Sequence, residues 1–460
     1  MPLQAAPTPT LLAPAPQPAL ASGRGGPART LTPTVVAALA CAACGRLSPG
    51  PVASDEDRFA YACAAARQDL GEWIIDDEAT IPTSIEVPHE DALARIRGAL
   101  REAAAGRGRA RIVVYGGSHT AADLYTGTLR HALQAGFGDL GHGFVMPVPP
   151  FENYWQSGVH VEQSEGFASR EPSFKHMAPD RYGLAGMAFD ADGPAIAELH
   201  TEGSRASRIT TYFLAQPRGG TLRVSVDGRP SEVSTGSGEA APHAAAFVVG
   251  VEDGPHAVAI EAVGDGPVRL YGLTLDREGP GVSLDQLGLA GAKSRHQLLW
   301  DEEVWYALLA SRSPDLVVLS YGNNETDDHH LTDEEHVAHF ERMLGRIRAR
   351  FPGASCLVLG PADRLLPDAQ GTLRTPRLLS VLRDAQRRIA LREGCAFFDV
   401  MGWQGGPGAM ARWRALAVPM AREDGIHFTE LGYRRLGAAL GVALLDALAV
   451  EPGTTLGPPR

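Results

Sequence analysis

The chain has 460 residues, a net charge of −12, and an ordinary composition with 44% hydrophobic and 21% charged residues. A chain of this length can form roughly two or three domains, each with its own core. The negative charge argues against a nucleic-acid partner, because phosphate contacts need clustered Lys and Arg. No apolar run reaches the ~20 residues that a membrane-spanning helix needs.

Residues 1–44 predict a low-complexity tail that ends in an export signal. The first 30 residues are rich in Ala and Pro and contain too few branched or aromatic side chains to pack a core. Residues 31–44 are apolar, follow two arginines and lead into small and polar residues, which is the order found in export signals. An Ala-rich tail without a signal is the alternative. We therefore expect an exported protein of the periplasm, the cell envelope or the extracellular space.

The five cysteines give no disulfide framework and no metal-ligand spacing. Cys41 and Cys44 lie in the predicted signal and are candidate lipid-attachment residues, although neither has Leu three positions before it. Cys356 and Cys395 lie in apolar, strand-like runs. We expect these two side chains to be buried as small hydrophobic residues.

Residues 45–88 predict an irregular lead-in, and residues 89–142 the first part of an α/β domain. A helical pattern over 91–105 precedes a buried strand at 111–115, which breaks at a Gly-Gly-Ser turn before the next helix. A strand, a tight turn and a helix in this order are typical of a βα unit.

Residues 143–285 have a different pattern and predict an inserted β-sandwich or jelly roll. Short alternating runs are separated there by Asp-Gly turns. Strands and helices alternate again over 286–450, which indicates a parallel sheet with helices on both faces. Residues 451–460 predict a disordered tail.

Three polar groups follow predicted strands or precede a helix, at the edge where open α/β sheets place their sites. Ser118 follows two glycines and is a candidate nucleophile, Asn324 a candidate oxyanion donor, and Asp424 and His427 a candidate acid–base pair. Each pattern alone is more typical of a turn, a cap or a surface residue. Together, in this order, they supply the groups that acyl transfer requires.

These residues resemble the ordered blocks of the SGNH/GDSL-like hydrolases. Block I matches residues 116–123, block II 288–292, block III 322–325 and block V 424–429. The resemblance implies a three-layer, flavodoxin-like hydrolase domain, a triad of Ser118, Asp424 and His427, and an oxyanion hole formed by Ser118, Gly291 and Asn324. It implies no cofactor. Gly117 departs from the usual Gly-Asp-Ser, and this change is expected to loosen the site or alter the turn.

The inserted β-domain resembles the carbohydrate-binding-module-like insert of bacterial peptidoglycan and polysaccharide O-acetylesterases. This resemblance implies an enzyme that removes O-acetyl groups from a carbohydrate polymer. A polysaccharide O-acetyltransferase with the same triad and a non-catalytic carbohydrate-binding protein are the alternatives. A lipid or thioester substrate is also open, although nothing between the blocks resembles a long apolar groove.

Aromatic side chains in or beside the insert are candidates for stacking on a sugar. They are Tyr154, Trp155, Tyr182 and Tyr212. The run 327–330, Asp-Asp-His-His, has metal-binding side chains, but four adjacent residues rarely converge on one ion. We therefore expect no metal, and an acetylated carbohydrate or small ester as the partner.

Overall fold

The computed structural model describes residues 10–11, 54–75, 79–151, 154–172 and 178–449. The predicted export signal, Cys41, Cys44 and the predicted tail 451–460 lie outside these residues. Within the described ranges, no helix is both long and apolar enough to span a membrane.

The strands are β1 (Thr10–Leu11), β2 (Arg109–Gly116), β3 (Gly141–Val145), β4 (Val159–Glu165), β5 (Ala168–Arg170), β6 (Ala188–Ala191), β7 (Ala195–Thr201), β8 (Ala206–Ala215), β9 (Thr221–Val226), β10 (Arg229–Ser234), β11 (His243–Gly254), β12 (Ala257–Ala262), β13 (Val268–Asp276), β14 (Gly281–Gly288), β15 (Leu316–Ser320), β16 (Ser355–Leu359), β17 (Leu366–Pro367), β18 (Leu373–Arg374) and β19 (Ala396–Phe398). The α-helices are α1 (Asp55–Leu70), α2 (Ala94–Ala104), α3 (Ser118–Ala121), α4 (Tyr125–Phe137), α5 (Glu302–Arg312), α6 (Asp333–Arg350), α7 (Arg377–Arg392), α8 (Val400–Trp403), α9 (Ala409–Arg414) and α10 (Glu430–Ala449). Short 3₁₀ helices are Gly71–Trp73, Ser294–Leu299 and Asn324–Asp327.

A five-stranded parallel sheet forms the centre of the α/β domain, with the strand order β14-β2-β15-β16-β19. Alternate residues of β2 point to opposite faces of this sheet. Ile112 and Val114 belong to the core shared with α1, α2, α4 and α10. Val113 and Tyr115 belong to the core shared with α5 and α6. Helices therefore cover both faces, and the predicted three-layer fold is confirmed.

Two antiparallel sheets form the β-domain, whose strands lie between α4 and β14 in the chain except for the two-residue edge strand β1. One sheet has the order β1-β11-β8-β13-β6-β5, with β3 also paired to β13, and the other has the order β10-β9-β12-β7-β4. Apolar residues of both sheets, such as Phe213 on β8 and Ile260 on β12, belong to one buried cluster. The predicted class, an α/β fold interrupted by an all-β insert, is confirmed.

The strands place the ends of the insert differently from the sequence pattern. The predicted limit after residue 285 lies inside β14, which pairs in parallel with β2 along its whole length. The predicted start at residue 143 lies inside β3. The polar residues Asp285 and Gln286 interrupt the apolar run of β14, yet both are buried. Because of this interruption, the hydrophobic pattern did not predict that β14 is a strand.

The predicted irregular lead-in over 45–88 is wrong for residues 55–70, which form α1. Ser54 caps this helix in a reciprocal capping box with Asp57. Buried residues of α1, among them Phe59, Ala66 and Leu70, contribute to the core beside α4 and α10. The buried face contains several Ala residues, so it gave only a weak hydrophobic period.

Cys356 and Cys395 are buried, as expected, but they form a disulfide that the sequence did not predict. Leu357 on β16 pairs with Ala396 on β19, which brings the two preceding residues side by side. Their Cα atoms are 4.6 Å apart, within the usual range for a disulfide. A sequence separation of 39 residues gave no indication of this register.

An ion-pair network connects the β-domain to the edge of the parallel sheet. Arg312 at the end of α5 is buried and binds Asp276 on β13 and Asp285 on β14, both at 2.7 Å. Asp285 also accepts the backbone N–H of Phe144 on β3. Because β14 continues into the segment that contains Gly291, this network fixes the β-domain beside that segment.

Candidate active site

Ser118 lies at the carboxyl end of β2, where the strand turns into the short helix α3. Gly117 between them donates its N–H to the carbonyl of Ser320 and accepts the N–H groups of Thr120 and Ala121. These three bonds hold the turn. Gly117 has φ −87° and ψ −153°, an extended conformation open to any residue. The looser turn predicted from the missing Asp is therefore not observed.

Ser118, His427 and Asp424 form a continuous chain of hydrogen bonds. The Nε2 atom of His427 is 2.9 Å from the Oγ of Ser118, and its Nδ1 atom is 2.8 Å from Oδ2 of Asp424. The Asp424 carboxylate can only accept, so Nδ1 carries the ring proton and Nε2 accepts the hydroxyl proton of Ser118. Three residues predicted from separate motifs, 309 positions apart at the extremes, thus meet with the geometry of a nucleophile and its base.

The loop before α10 holds Asp424 in place. Its Oδ1 atom accepts the backbone N–H groups of Ile426 at 2.8 Å and of His427 at 2.9 Å. Partial burial raises the pKa of this carboxyl, but the hydrogen bonds from His427 and Ile426 outweigh it and leave the pKa below its usual value. Asp424 therefore stays ionised at neutral pH and fixes the imidazole tautomer.

The three predicted oxyanion donors surround the same turn. As the first residue of α3, Ser118 has a backbone N–H that takes part in no hydrogen bond within the described chain. The same holds for the N–H of Gly291, whose φ of +75° lies in the left-handed region that favours glycine. Both groups are available to an anion.

The side chain of Asn324 completes this group and explains why position 117 has no side chain. Its Nδ2 atom donates to the carbonyl of Ala292 at 2.9 Å, next to Gly291. A Cβ atom on Gly117 would lie 2.7 Å from that Nδ2 and 3.3 Å from the Ala292 oxygen. The missing Asp therefore leaves space that the Asn324 amide occupies.

We expect the variant Gly117→Ala to lower kcat for ester hydrolysis by about 10²-fold, because the new methyl group must displace the Asn324 amide. Loss of one oxyanion donor typically costs about 10²–10³ in kcat. Steady-state hydrolysis of an activated acetyl ester measures the effect.

Gly345→Ala on α6 is the matched control, since a Cβ there meets nothing within 4 Å. It should leave kcat within about twofold of the parent, as expected for a surface change. Activity of Gly117→Ala close to that of this control would contradict the packing argument.

His119 is a part of the site, although its sequence position predicts only a polar turn residue. Its ring lies 5.7 Å from the His427 ring and 5.0 Å from Phe428, and its Nδ1 is 3.1 Å from the Tyr433 hydroxyl. Burial lowers the pKa of His119 to about 3. It is therefore a neutral packing partner that limits where the His427 ring can lie. Its position after Ser118 gave no signal of this contact.

The four aromatic residues predicted to bind sugar differ in their exposure and in their contacts. Tyr182 and Tyr212 are buried and present no face to a ligand, so these two predictions are wrong. The hydroxyl of half-buried Tyr154 accepts bonds from Met146 and Gln156. Trp155 is 39% exposed, and its role stays a prediction.

The Asp-Asp-His-His run at 327–330 does not form one cluster. Asp327 pairs with Arg364, and the buried Asp328 pairs with Lys293 and Arg295. His329 and His330 are exposed. Asp328 therefore neutralises two cations in residues 288–295, the segment that contains Gly291 and is here called the oxyanion segment.

Comparisons with known proteins agree with this architecture. Residues 249–435 match the GDSL-like lipase/acylhydrolase family. This range includes the oxyanion segment, Asp424 and His427, whereas Ser118 lies before the β-domain and outside it. No curated protein matches the chain.

Among solved structures, a peptidoglycan O-acetylesterase is similar over 79% of this chain and 99% of its own, with 23% identity and a TM-score of 0.66. A family two carbohydrate esterase from Cellvibrio japonicus matches over 62% of this chain and 100% of its own, with 12% identity and a TM-score of 0.25. A salicylyl-acyltransferase from a tetracycline biosynthetic pathway matches over 60% of this chain and 96% of its own, with 15% identity and a TM-score of 0.30. The chain therefore contains a GDSL-like lipase/acylhydrolase domain and has the SGNH hydrolase fold, which supports an esterase.

Proposed function

We propose that this esterase removes O-acetyl groups from a carbohydrate polymer through an acetyl-enzyme on Ser118. The observation that carries this proposal is the chain of bonds from Ser118 through His427 to Asp424, beside three backbone and amide donors. A hydroxyl with a general base and preorganised N–H donors is the arrangement that acyl transfer uses.

In the proposed mechanism, each step involves a named atom. Ser118 Oγ attacks the acetyl carbonyl carbon while His427 Nε2 takes its proton. The carbonyl oxygen becomes an oxyanion near the N–H groups of Ser118 and Gly291 and the Asn324 amide. The C–O bond to the sugar then breaks, and His427 returns the proton to the departing hydroxyl. Water, deprotonated by His427, then attacks the acetyl carbonyl carbon. The bond from that carbon to Ser118 Oγ breaks, His427 returns the proton to Oγ, and acetate leaves.

The carbohydrate substrate is inferred from the whole architecture. The likeness to a peptidoglycan O-acetylesterase includes the β-domain as well as the α/β domain, since it covers 79% of this chain. Trp155, in the segment that leads into the β-domain, offers an exposed aromatic ring of the kind that stacks on sugars. An O-acetyltransferase would form the same acetyl-enzyme and pass the acetyl group to a second sugar hydroxyl instead of water.

We also propose that the protein is exported. The disulfide between Cys356 and Cys395 supports this location, because disulfides form and persist in oxidising compartments and are rare in the cytosol. It agrees with the order of basic, apolar and small residues before residue 45.

The test of the proposed substrate is acetate release from O-acetylated peptidoglycan, acetylated xylan and aliphatic esters of two to eight acyl carbons. We expect release from at least one polymer and a steep loss of rate as the acyl chain lengthens. Turnover confined to the long-chain esters would exclude the carbohydrate substrate. Transfer of acetyl to an added oligosaccharide in preference to water would favour the transferase.

A further inference from the structure

Two histidines and two glutamates meet on the solvent face of the β-domain, in the sheet that ends with the edge strand β4. His160 on β4 lies directly opposite His200 on β7. Their rings stack with centroids 5.1 Å apart and planes inclined by 20°. Glu202 follows His200 by two positions.

The ligand atoms of His160, His200 and Glu202 converge. The two oxygens of the Glu202 carboxylate lie 3.2 Å from Nε2 of His160 and 3.3 Å from Nε2 of His200. One ligand atom from each residue lies within 4.8 Å of those from the other two. A small rotation of the side chains brings all three within bonding distance of one ion, given Zn–N and Zn–O bonds of about 2.0–2.2 Å.

Glu162 supplies the supporting contact that metal-bound histidines usually have. Its Oε1 is 2.8 Å from Nδ1 of His200, an ion-pair contact without hydrogen-bond geometry. The same small rotation that brings the ligands together would let this oxygen accept the Nδ1 proton and leave the lone pair of Nε2 facing Glu202. The register of β4 shifts between Val161 and Gln163, so Glu162 occupies a bulge without a cross-strand partner. Bulges redirect side chains in this manner.

We propose that His160, His200 and Glu202 bind Zn²⁺, with Glu162 as the carboxylate that orients His200. Two imidazoles and one carboxylate are the ligand types of zinc sites, whereas Ca²⁺ and Mg²⁺ require oxygen ligands. The two carboxylates offset the charge of the ion. Bound zinc would connect the edge strand β4 to β7 and stabilise the β-domain. The proposal is independent of the hydrolase reaction.

The experiment is calorimetric titration of the chelator-treated full chain with ZnCl₂ at pH 7.5. We expect one ion per chain and a rise in the thermal unfolding temperature with zinc, since a ligand of the native state stabilises it. Cobalt(II) gives a second readout, because its visible absorption reports nitrogen and oxygen ligation directly.

Variants distinguish zinc binding at the proposed site from nonspecific zinc binding at other surface residues. His160→Ala and His200→Ala should each lower zinc affinity by at least about 100-fold, and Glu162→Gln by about 10–100-fold through the lost orienting contact. The matched control is the double variant His329→Ala and His330→Ala, which removes two exposed histidines elsewhere and should bind zinc unchanged.

Ester hydrolysis should stay the same in all these variants, which also shows that they fold. Absence of stoichiometric binding by the parent chain would overturn the proposal. Equal zinc affinity in the parent and in His200→Ala would overturn it too, as would loss of binding in the control alone.

Discussion

Ser118→Ala should lower kcat for acetyl-ester hydrolysis by at least about 10⁴-fold. The variant lacks the oxygen that forms the acyl bond, while the oxyanion donors and the substrate site remain. Loss of the nucleophile in a serine hydrolase costs this much or more, and the residual rate comes from the donors and from binding. Acetate release at saturating substrate measures kcat, and the unfolding temperature shows that the variant folds.

The control for this variant is Ser311→Ala on α5, whose hydroxyl donates to the Leu308 carbonyl far from the site in sequence and role. It should keep kcat within about twofold of the parent. Mass spectrometry after treatment with a fluorophosphonate should show one label on the parent and none on Ser118→Ala. Turnover retained in a folded Ser118→Ala variant would exclude the acetyl-enzyme.

The main elements of the candidate site were predictable because each has a local signature at a strand end or just before a helix. The Gly-Gly-Ser turn, the Gly-Asn-Asn-Glu segment and the Asp-Gly-Ile-His loop are all short. In a parallel sheet the carboxyl ends of the strands meet at one edge, so order along the chain was enough to place these groups together. The structure brings Ser118 and His427 to 2.9 Å.

Contacts that depend on packing between distant elements were not predictable. The contact of His119 with His427 depends on how α3 faces the loop before α10. The burial of Tyr182 and Tyr212 depends on which face of the insert covers the core. A single sequence shows which residue stands at each of these positions, but it does not show which side chains from other elements pack against it.

The fold shows the same limit. The alternating runs of the insert and the apolar strands of the parallel sheet followed directly from periodicity, whereas β14 did not. The buried carboxylate of its Asp285 is neutralised by Arg312, which belongs to the distant helix α5. The disulfide likewise needed the register of β16 against β19, which local sequence does not determine.

Asp424→Asn is expected to lower kcat by about 10⁴-fold while leaving the fold intact. In the parent chain, Oδ1 of Asp424 accepts the backbone N–H groups of Ile426 and His427, and the side-chain oxygen of Asn can accept the same two bonds. Its amide nitrogen then replaces Oδ2 opposite Nδ1 of His427. Because an amide nitrogen donates, Nδ1 must accept, and the ring proton moves to Nε2, where it faces Ser118. A ring in that tautomer cannot take the hydroxyl proton.

Glu423→Gln is the matched control for this change, since Glu423 is the adjacent carboxylate, is 95% exposed and pairs only with Arg414 among the described residues. It should leave kcat within about twofold. A loss in Asp424→Asn that appears in kcat and leaves the unfolding temperature unchanged identifies the tautomer as the cause. If instead kcat were unaffected, His427 would be oriented by the packing of His119 and Phe428 alone, and Asp424 would serve as a cap of its loop.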